Sequence, residues 1–253
     1  MKRFTLGYWR IRGLAAPLRM LLELARVTWK DETYQLKMEG AKRGCPEWKE
    51  AKAALQKDNA LINLPYLIDN KDGKKYVVSQ SLACELYLSR ELFTWETETF
   101  AELTQLLCEV HDLRDAFVGL CYGKKGEEYT NALGGHLSKA RTHFKKFEDW
   151  LESAAATVSA TQARKRKKPE DNASTAWLIP AHGISAADIH LFEMMEHHKA
   201  WAAACKLDVD FEQEFPRVHS VGLGVRQHPH LASYFQSDAS RYPINNPQAS
   251  FVA

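Results

Sequence analysis

The place where strand signals stop limits the possible folds of this chain more than any other feature. Up to about Phe93 the sequence alternates between the period of a strand and that of a helix, and beyond it only the helical period remains. Phe4 to Trp9 mixes aromatic and Thr residues as a strand does. Ala15 to Arg26 sets Leu18, Leu21, Leu22 and Ala25 on one helical face, and Thr28 to Gln35 returns to strand character, which makes a β-α-β unit. A Lys- and Gly-rich stretch (Lys37 to Gly44) leads to a weaker helix over Glu47 to Leu55, then to short strands at Tyr66 to Asp69 and Tyr76 to Val78. Asn70-Lys71-Asp72-Gly73 between those strands is turn chemistry, with Gly73 free to take positive φ, so the two are antiparallel neighbours. Ser81 to Leu92 reads as a helix with Leu82, Leu86 and Leu88 inward. The rest carries helical periodicity at Glu96 to Cys121, Glu127 to Ala156, Ala186 to Cys205, Phe211 to Gln227 and Leu231 to Phe235. A mixed segment followed by helices predicts two packed units rather than one doubly wound sheet. They are an α/β unit over 1–90 and an all-α unit over 99–236, with a boundary near 90–98 and an irregular tail over 237–253.

Charge and cysteine usage narrow the functions. Lys and Arg total 34 against 32 Asp and Glu, and a net charge of +2 argues against a surface built for nucleic acid or an anionic membrane. Five cysteines, at 45, 84, 108, 121 and 205, form no Cys-x-x-Cys pair, which suits neither a disulfide framework nor a zinc site. Cys108 and Cys121 fall on a helix as small buried residues, and Met194-Met195 reads as core. The start, Met1-Lys2-Arg3-Phe4, goes directly into a strand-like run with no leader, and no stretch approaches the roughly 18 apolar residues of a membrane span. A cytoplasmic setting is the expectation. The run Arg164-Lys165-Arg166-Lys167-Lys168-Pro169 within 160–176 predicts an exposed, mobile loop, with a nuclear-import or polyanion-binding tract as the less favoured reading, and the Asn172-Ala173-Ser174 sequon has no opportunity without export. His190, His197 and His198 share a helix, but their spacing and the lack of a completing carboxylate predict no metal site.

Three short strings could carry chemistry. Asn63-Leu64-Pro65-Tyr66 puts a proline directly before a strand; alone, an ordinary trans turn is the favoured reading, while a cis bond would offer the Leu64 backbone to a ligand. Gln80-Ser81 sits where a strand yields to a helix, so its amides could hold a carboxylate, although simple capping by Ser81 is the stronger local reading. Tyr8-Trp9 closes the first strand immediately before Gly13-Leu14, where a phenol could donate to a thiolate or oxyanion, or the pair could simply be core.

Taken together, Thr5-Leu6-Gly7-Tyr8-Trp9-Arg10-Ile11-Arg12-Gly13-Leu14-Ala15, Trp48, Asn63-Leu64-Pro65-Tyr66-Leu67-Ile68-Asp69 and Gln80-Ser81 resemble the cytosolic glutathione S-transferases, most closely the mu class. The resemblance continues through Asp112, Leu120-Cys121-Tyr122, the Ser185-Ala186-Ala187-Asp188 capping box and Glu214-Phe215-Pro216. It implies a thioredoxin-like domain followed by a helical-bundle domain, in a homodimer. It also implies attack of the glutathione thiolate on hydrophobic electrophiles in a detoxification role, with no cofactor beyond the co-substrate. By that resemblance Tyr8 stabilises the thiolate, helped by amides opening the first helix such as that of Leu14. Trp9 and Leu14 wall the cleft, Leu64 beside Asn63 and Pro65 pairs with the cysteinyl backbone, and Trp48 and Lys52 reach the glycyl carboxylate. Gln80 and Ser81 hold the γ-glutamyl carboxylate, Asp112 of the partner subunit pairs with its ammonium, and Arg114 and Tyr122 line the electrophile pocket. The chain departs from the mu pattern at Leu61, where an aromatic lock residue is usual, and at Leu86, where the third helix usually has an interface arginine. Two other functions fit the same residues: a non-catalytic ligand carrier or scaffold, and a glutathione-dependent isomerase or peroxidase.

Overall fold

The structure, a computed structural model, describes residues 2–39, 42–165 and 177–253, with backbone alone at 38–39, 42–43 and 157–165. The chain forms two compact units, 1–94 with 229–247 and Val252, and 95–228 with 248–251 and Ala253.

The first unit is built on a four-stranded sheet of β1 (Phe4–Trp9), β2 (Trp29–Tyr34), β5 (Tyr66–Lys71) and β6 (Lys74–Ser79), in the order β2-β1-β5-β6. β1 runs parallel to β2 and antiparallel to β5, and β5 is antiparallel to β6. The connection from β1 to its parallel neighbour needs a crossover, and α1 (Ala16–Leu24) supplies it. The turn after β5 is as read from the sequence: Asp72 and Gly73 take φ of 52° and 74°, the left-handed pair that closes a two-residue hairpin. α3 (Ser81–Leu92) packs beside α1, but its buried face is Cys84, Glu85, Leu88 and Ser89, while Leu82 and Leu86 are only half-buried. Of the three leucines expected inward only Leu88 is buried, and the stripe at 84, 85, 88 and 89, spaced i, i+1, i+4, i+5, is one helical face. The stretch from Lys37 to Gly44 holds a small antiparallel pair, β3 (Lys37–Glu39) and β4 (Lys42–Gly44). α2 (Pro46–Leu55) brings Trp48 and Leu55 onto a cluster with Tyr34, Ile62, Tyr66 and Val77.

The second unit contains α4 (Thr97–Gly123), α5 (Gly126–Lys165), α6 (Ala186–Ala204), α7 (Phe211–Glu214) and α8 (Pro216–Gln227). The single helix expected over Phe211 to Gln227 is two, because Pro216 cannot continue the first and opens the second. α5 runs to Lys165, into the segment expected to be loop from 160; the run from Ala154 to Lys165 holds no Gly or Pro to stop it. The remaining basic residues, Arg166 to Lys168, and the Asn172 sequon lie outside the described residues. α6 is buried nearly all round, Trp201 included, and packs against both α4 and α8. Among the described residues no helix is long and apolar enough to cross a membrane.

His190, His197 and His198 of α6 are all fully buried. His198 Nδ1 donates to the Met194 carbonyl at 2.7 Å, so the Nε2 of the neutral ring accepts from His136 Nε2 at 3.2 Å. A carboxylate does meet this set: His197 Nε2 lies 3.0 Å from Glu193 Oε2, one turn back on the helix, where none was expected. Burial pushes His136 down to about 4 and His198 well below the usual imidazole value. Both rings stay neutral in the fold and bind protons near pH 6.5 when unfolded, so stability is full above that value and falls as pH drops from 6.5 towards 4. Asp188, pushed up to about 6 by burial, works in the opposite sense over part of that window. The melting temperature should decline across it, and His136→Gln, which keeps a donor for His198 but does not titrate, should flatten the decline. A pH-independent melting temperature in the parent protein would contradict this account.

The chain after residue 228 follows a different course from the one expected. α9 (Ala232–Gln236) packs on α1, and residues 229–236, expected in the helical unit, belong to the first unit together with 237–247, for which packing over another surface or fraying were the two expectations; the packed one holds. Leu231, Tyr234 and Ile244 anchor it, all with at most 3% of their surface exposed. A 3-10 turn at Asp238–Arg241 gives part of the tail regular structure. Residues 248–251 group with the second unit, where Ser250 N donates to the Cys121 carbonyl at 2.7 Å.

Candidate active site

The loop from β1 to α1 carries the residue of greatest chemical interest. Tyr8 is the next-to-last residue of β1, its ring buried against Gly13, whose φ of +42° turns the chain under it. A Cβ at Gly13 would lie 2.8 Å from the Tyr8 ring, so this position needs glycine for both its conformation and its space. The Leu14 amide donates to Tyr8 Oη at 3.2 Å. Leu14 therefore acts on the hydroxyl and does not present a free amide. A phenol oxygen that accepts a hydrogen bond is a better donor through its own proton, which has no acceptor among the described residues. Trp9 and Leu14 are half-buried on either side of this loop.

The Leu64–Pro65 peptide is cis, where local reading of an isolated X-Pro bond favoured trans. Ser79 holds the segment before it, its Oγ accepting from Asn63 N at 2.9 Å and lying 2.9 Å from the Asn63 carbonyl oxygen. Asn63 is exposed and Leu64 half-buried, Pro65 and Tyr66 are buried, and Leu61 is 78% exposed. Gln80 takes φ 76° and ψ 125° at the mouth of α3, an uncommon backbone for a residue with a side chain. No side chain caps this helix, and Ser81 is its first residue rather than its cap. The opening amides of α3 thus keep the partial positive charge of a helix start without a capping oxygen.

Trp48 is buried in the cluster that α2 forms on the sheet. Its ring stacks on Tyr66 at 6.0 Å and 14° and meets Tyr34 at 5.3 Å. Lys52, one turn on, sets its ammonium 5.9 Å from the Trp48 ring centre. The Tyr34 and Tyr66 hydroxyls pair at 2.8 Å, and Tyr66 covers Gly7, where any side chain would collide with its ring. In the second unit, α4 places Asp112 on its exposed face, Arg114 on its buried face and Tyr122 half-buried near its end.

A family model described as "Glutathione S-transferase, C-terminal domain" matches residues 111–238, about half of the chain. The chain belongs to the glutathione S-transferase family. Relatives extend the likeness over the whole length: Glutathione S-transferase Mu 3 of Homo sapiens is 26% identical over 254 aligned residues, covering 98% of this chain and 94% of its own. The class-mu 26 kDa isozyme 51 of Fasciola hepatica is 24% identical, covering 97% and 94%. Among solved structures, the glutathione S-transferase Blo t 8 superposes with a TM-score of 0.72 at 19% identity, covering 98% of this chain and 100% of its own. The Pi-class enzyme of Onchocerca volvulus gives 0.68 at 20%, with the same coverage, and both establish the fold alone.

For this transferase, sequence reasoning missed Ser79, the Tyr34–Tyr66 hydroxyl pair and the chain segment that lies on the Tyr8 loop. Ser79 had a local signal, since it directly precedes Gln80-Ser81. The tyrosine pair had none, because its members are 32 residues apart and meet only through the sheet.

Proposed function

We infer that this transferase conjugates the thiolate of glutathione to hydrophobic electrophiles, as a mu-like, homodimeric, cytoplasmic enzyme of detoxification. The observation that carries the reading is the Tyr8 hydroxyl, which accepts from Leu14 N at 3.2 Å and keeps its own proton to give. A free thiol with a pKa of about 8.5 is only a few per cent ionised at neutral pH, and lowering it by about 2 units corresponds to roughly 2.7 kcal/mol of preferential thiolate stabilisation. A neutral phenol donating to sulfur supplies that selectively, since the thiol gains much less from the same bond.

The remaining matched residues hold the tripeptide in this reading. Leu64, presented by Asn63 and Pro65, pairs its backbone with the cysteinyl unit as an added strand does. The γ-glutamyl carboxylate takes the uncapped start of α3 at Gln80 and Ser81. Lys52 and the Trp48 indole N–H meet the glycyl carboxylate, and Asp112 reaches the γ-glutamyl ammonium from the partner subunit. Trp9, Leu14, Arg114 and Tyr122 serve the electrophile, Tyr122 by donating to negative charge that develops on it. Conjugation is favoured over a carrier because a scaffold has no need of a polarised phenol.

A titration of the ultraviolet thiolate absorbance of bound glutathione, run beside a general aromatic electrophile assay, tests the reading. A bound-thiol pKa well below that of free glutathione, with turnover, is the expected result. Binding with an unshifted thiol would establish the carrier instead.

A further inference from the structure

The backbone N–H groups of the Tyr8 loop can be accounted for one by one. Arg10 N donates to Tyr34 O at 2.7 Å and Ile11 N to Trp9 O at 2.8 Å, while Ala15 and Ala16 N both donate to Arg12 O, at 3.0 and 2.9 Å. Leu14 N goes to Tyr8 Oη. The two between, Arg12 and Gly13, have no partner within the loop. Their acceptors are the carbonyls of Pro243 and Ile244, at 2.8 and 3.1 Å, more than 200 residues along the chain.

A side-chain stack holds the same segment down. The Tyr242 ring lies 5.3 Å from the Arg10 guanidinium carbon and 5.5 Å from that of Arg19. Arg19 is fully buried; one face of its fork binds Asp31, Nε to Oδ2 at 2.9 Å, and its other nitrogen donates to the Ile11 carbonyl at 2.8 Å. Ile244, with 1% of its surface exposed, pins the strap from the other side. The strap therefore grips the loop by two backbone bonds and by a ring-to-guanidinium chain ending on Ile11.

We propose that Tyr242–Ile244 is a positioning strap for thiolate stabilisation, holding the Arg12–Gly13 peptides so that only the Leu14 amide is left to polarise Tyr8. The proposal rests on the transferase reading. Without the strap, Arg12 and Gly13 N–H must find water or compete for nearby acceptors. The chain then loses the reason to hold Gly13 at positive φ under the Tyr8 ring. The strap touches neither sulfur nor electrophile in this scheme, and its effect is transmitted through Tyr8.

The test compares parent enzyme, Tyr242→Ala, Ile244→Ala and the conservative Tyr242→Phe, with Ile244→Val in reserve should the Ala variant fail to fold. Three quantities are read: amide exchange at Arg12 and Gly13, the thiolate titration of bound glutathione, and kcat/KM from pH 6 to 9. In the Ala variants exchange at both amides should quicken at least about tenfold. The bound-thiol pKa should rise by about 1 unit, and kcat/KM at pH 6.5 should fall about fivefold. Because a bulk rise in pH restores the thiolate, that loss should close near pH 9, a recovery that general loosening of the fold would not show. Tyr242→Phe keeps the ring and should match the parent. Faster exchange with an unmoved thiol pKa overturns the proposal, as does a loss that persists at pH 9. An unshifted thiol in the parent enzyme sinks the transferase reading itself and takes the strap's role with it.

Discussion

Tyr8→Phe should leave glutathione affinity nearly intact while lowering kcat at least about tenfold, a loss of roughly 1.4 kcal/mol or more in transition-state stabilisation. The phenylalanine ring fills the same space against Gly13, so the loop keeps its shape, and only the proton given to sulfur disappears. Leu14 N, which now donates to Tyr8 Oη, is released in the variant and can turn to the sulfur itself. That substitution of one donor for another is why some activity should remain. The pH profile gives the diagnosis: the deficit should be largest at pH 6 to 7 and shrink as glutathione ionises unaided. Equal activity of variant and parent across that range would remove Tyr8 from the chemistry and leave it as packing for the loop.

Asp188→Ala should be among the most destabilising single changes in the second unit. Its carboxylate is fully buried and accepts from Leu178 N at 2.8 Å, Ser185 N at 2.9 Å and Ser185 Oγ at 2.6 Å. Truncation strands two buried backbone N–H groups and removes half of the capping box that starts α6, the helix at the centre of the unit. Losses of this kind total about 3 to 5 kcal/mol, which for a chain this long corresponds to a fall of roughly 6 to 20 °C in melting temperature. Asp188→Asn, which retains an accepting oxygen, should lose less. Calorimetry of the two variants checks the order. A fall no greater than that of a surface substitution would show that Leu178 and Ser185 find other acceptors.

What could be read from the sequence, and what could not, divides along a physical line. Strands and helices whose burial depends on local period were legible, as were the Asp72-Gly73 turn and the Tyr8-Trp9 string at the end of β1. Features set by backbone-to-backbone contact at a distance were not. Nothing in the identities of Pro243 and Ile244 signals that their carbonyls meet Arg12 and Gly13, because any residue has a carbonyl. The start of α3 was misread for a related reason: Ser81 has a capping side chain, but the left-handed Gln80 places Ser81 inside the helix, and backbone angles are not written in a polar residue's chemistry. The metal argument against His190, His197 and His198 treated one helix alone, and so did not see that His198 pairs with His136 from α5.

The return of residues 229–247 to the first unit has a consequence for how the protein is made. A ribosome delivers the four strands early, then the helices from residue 95 to 228, and only afterwards the segment that covers α1 and closes the Tyr8 loop. At roughly 5 to 20 residues per second, the first unit waits on the order of 10 s with its α1 face uncovered and two loop amides unmatched. During synthesis the early sheet is thus an unfinished fold, vulnerable to chaperone capture or wrong pairing, and its last stabilising piece arrives after the helices of the second unit have been made. A nascent chain stalled before Pro229 should accordingly be cut by protease within the first unit more readily than the released protein.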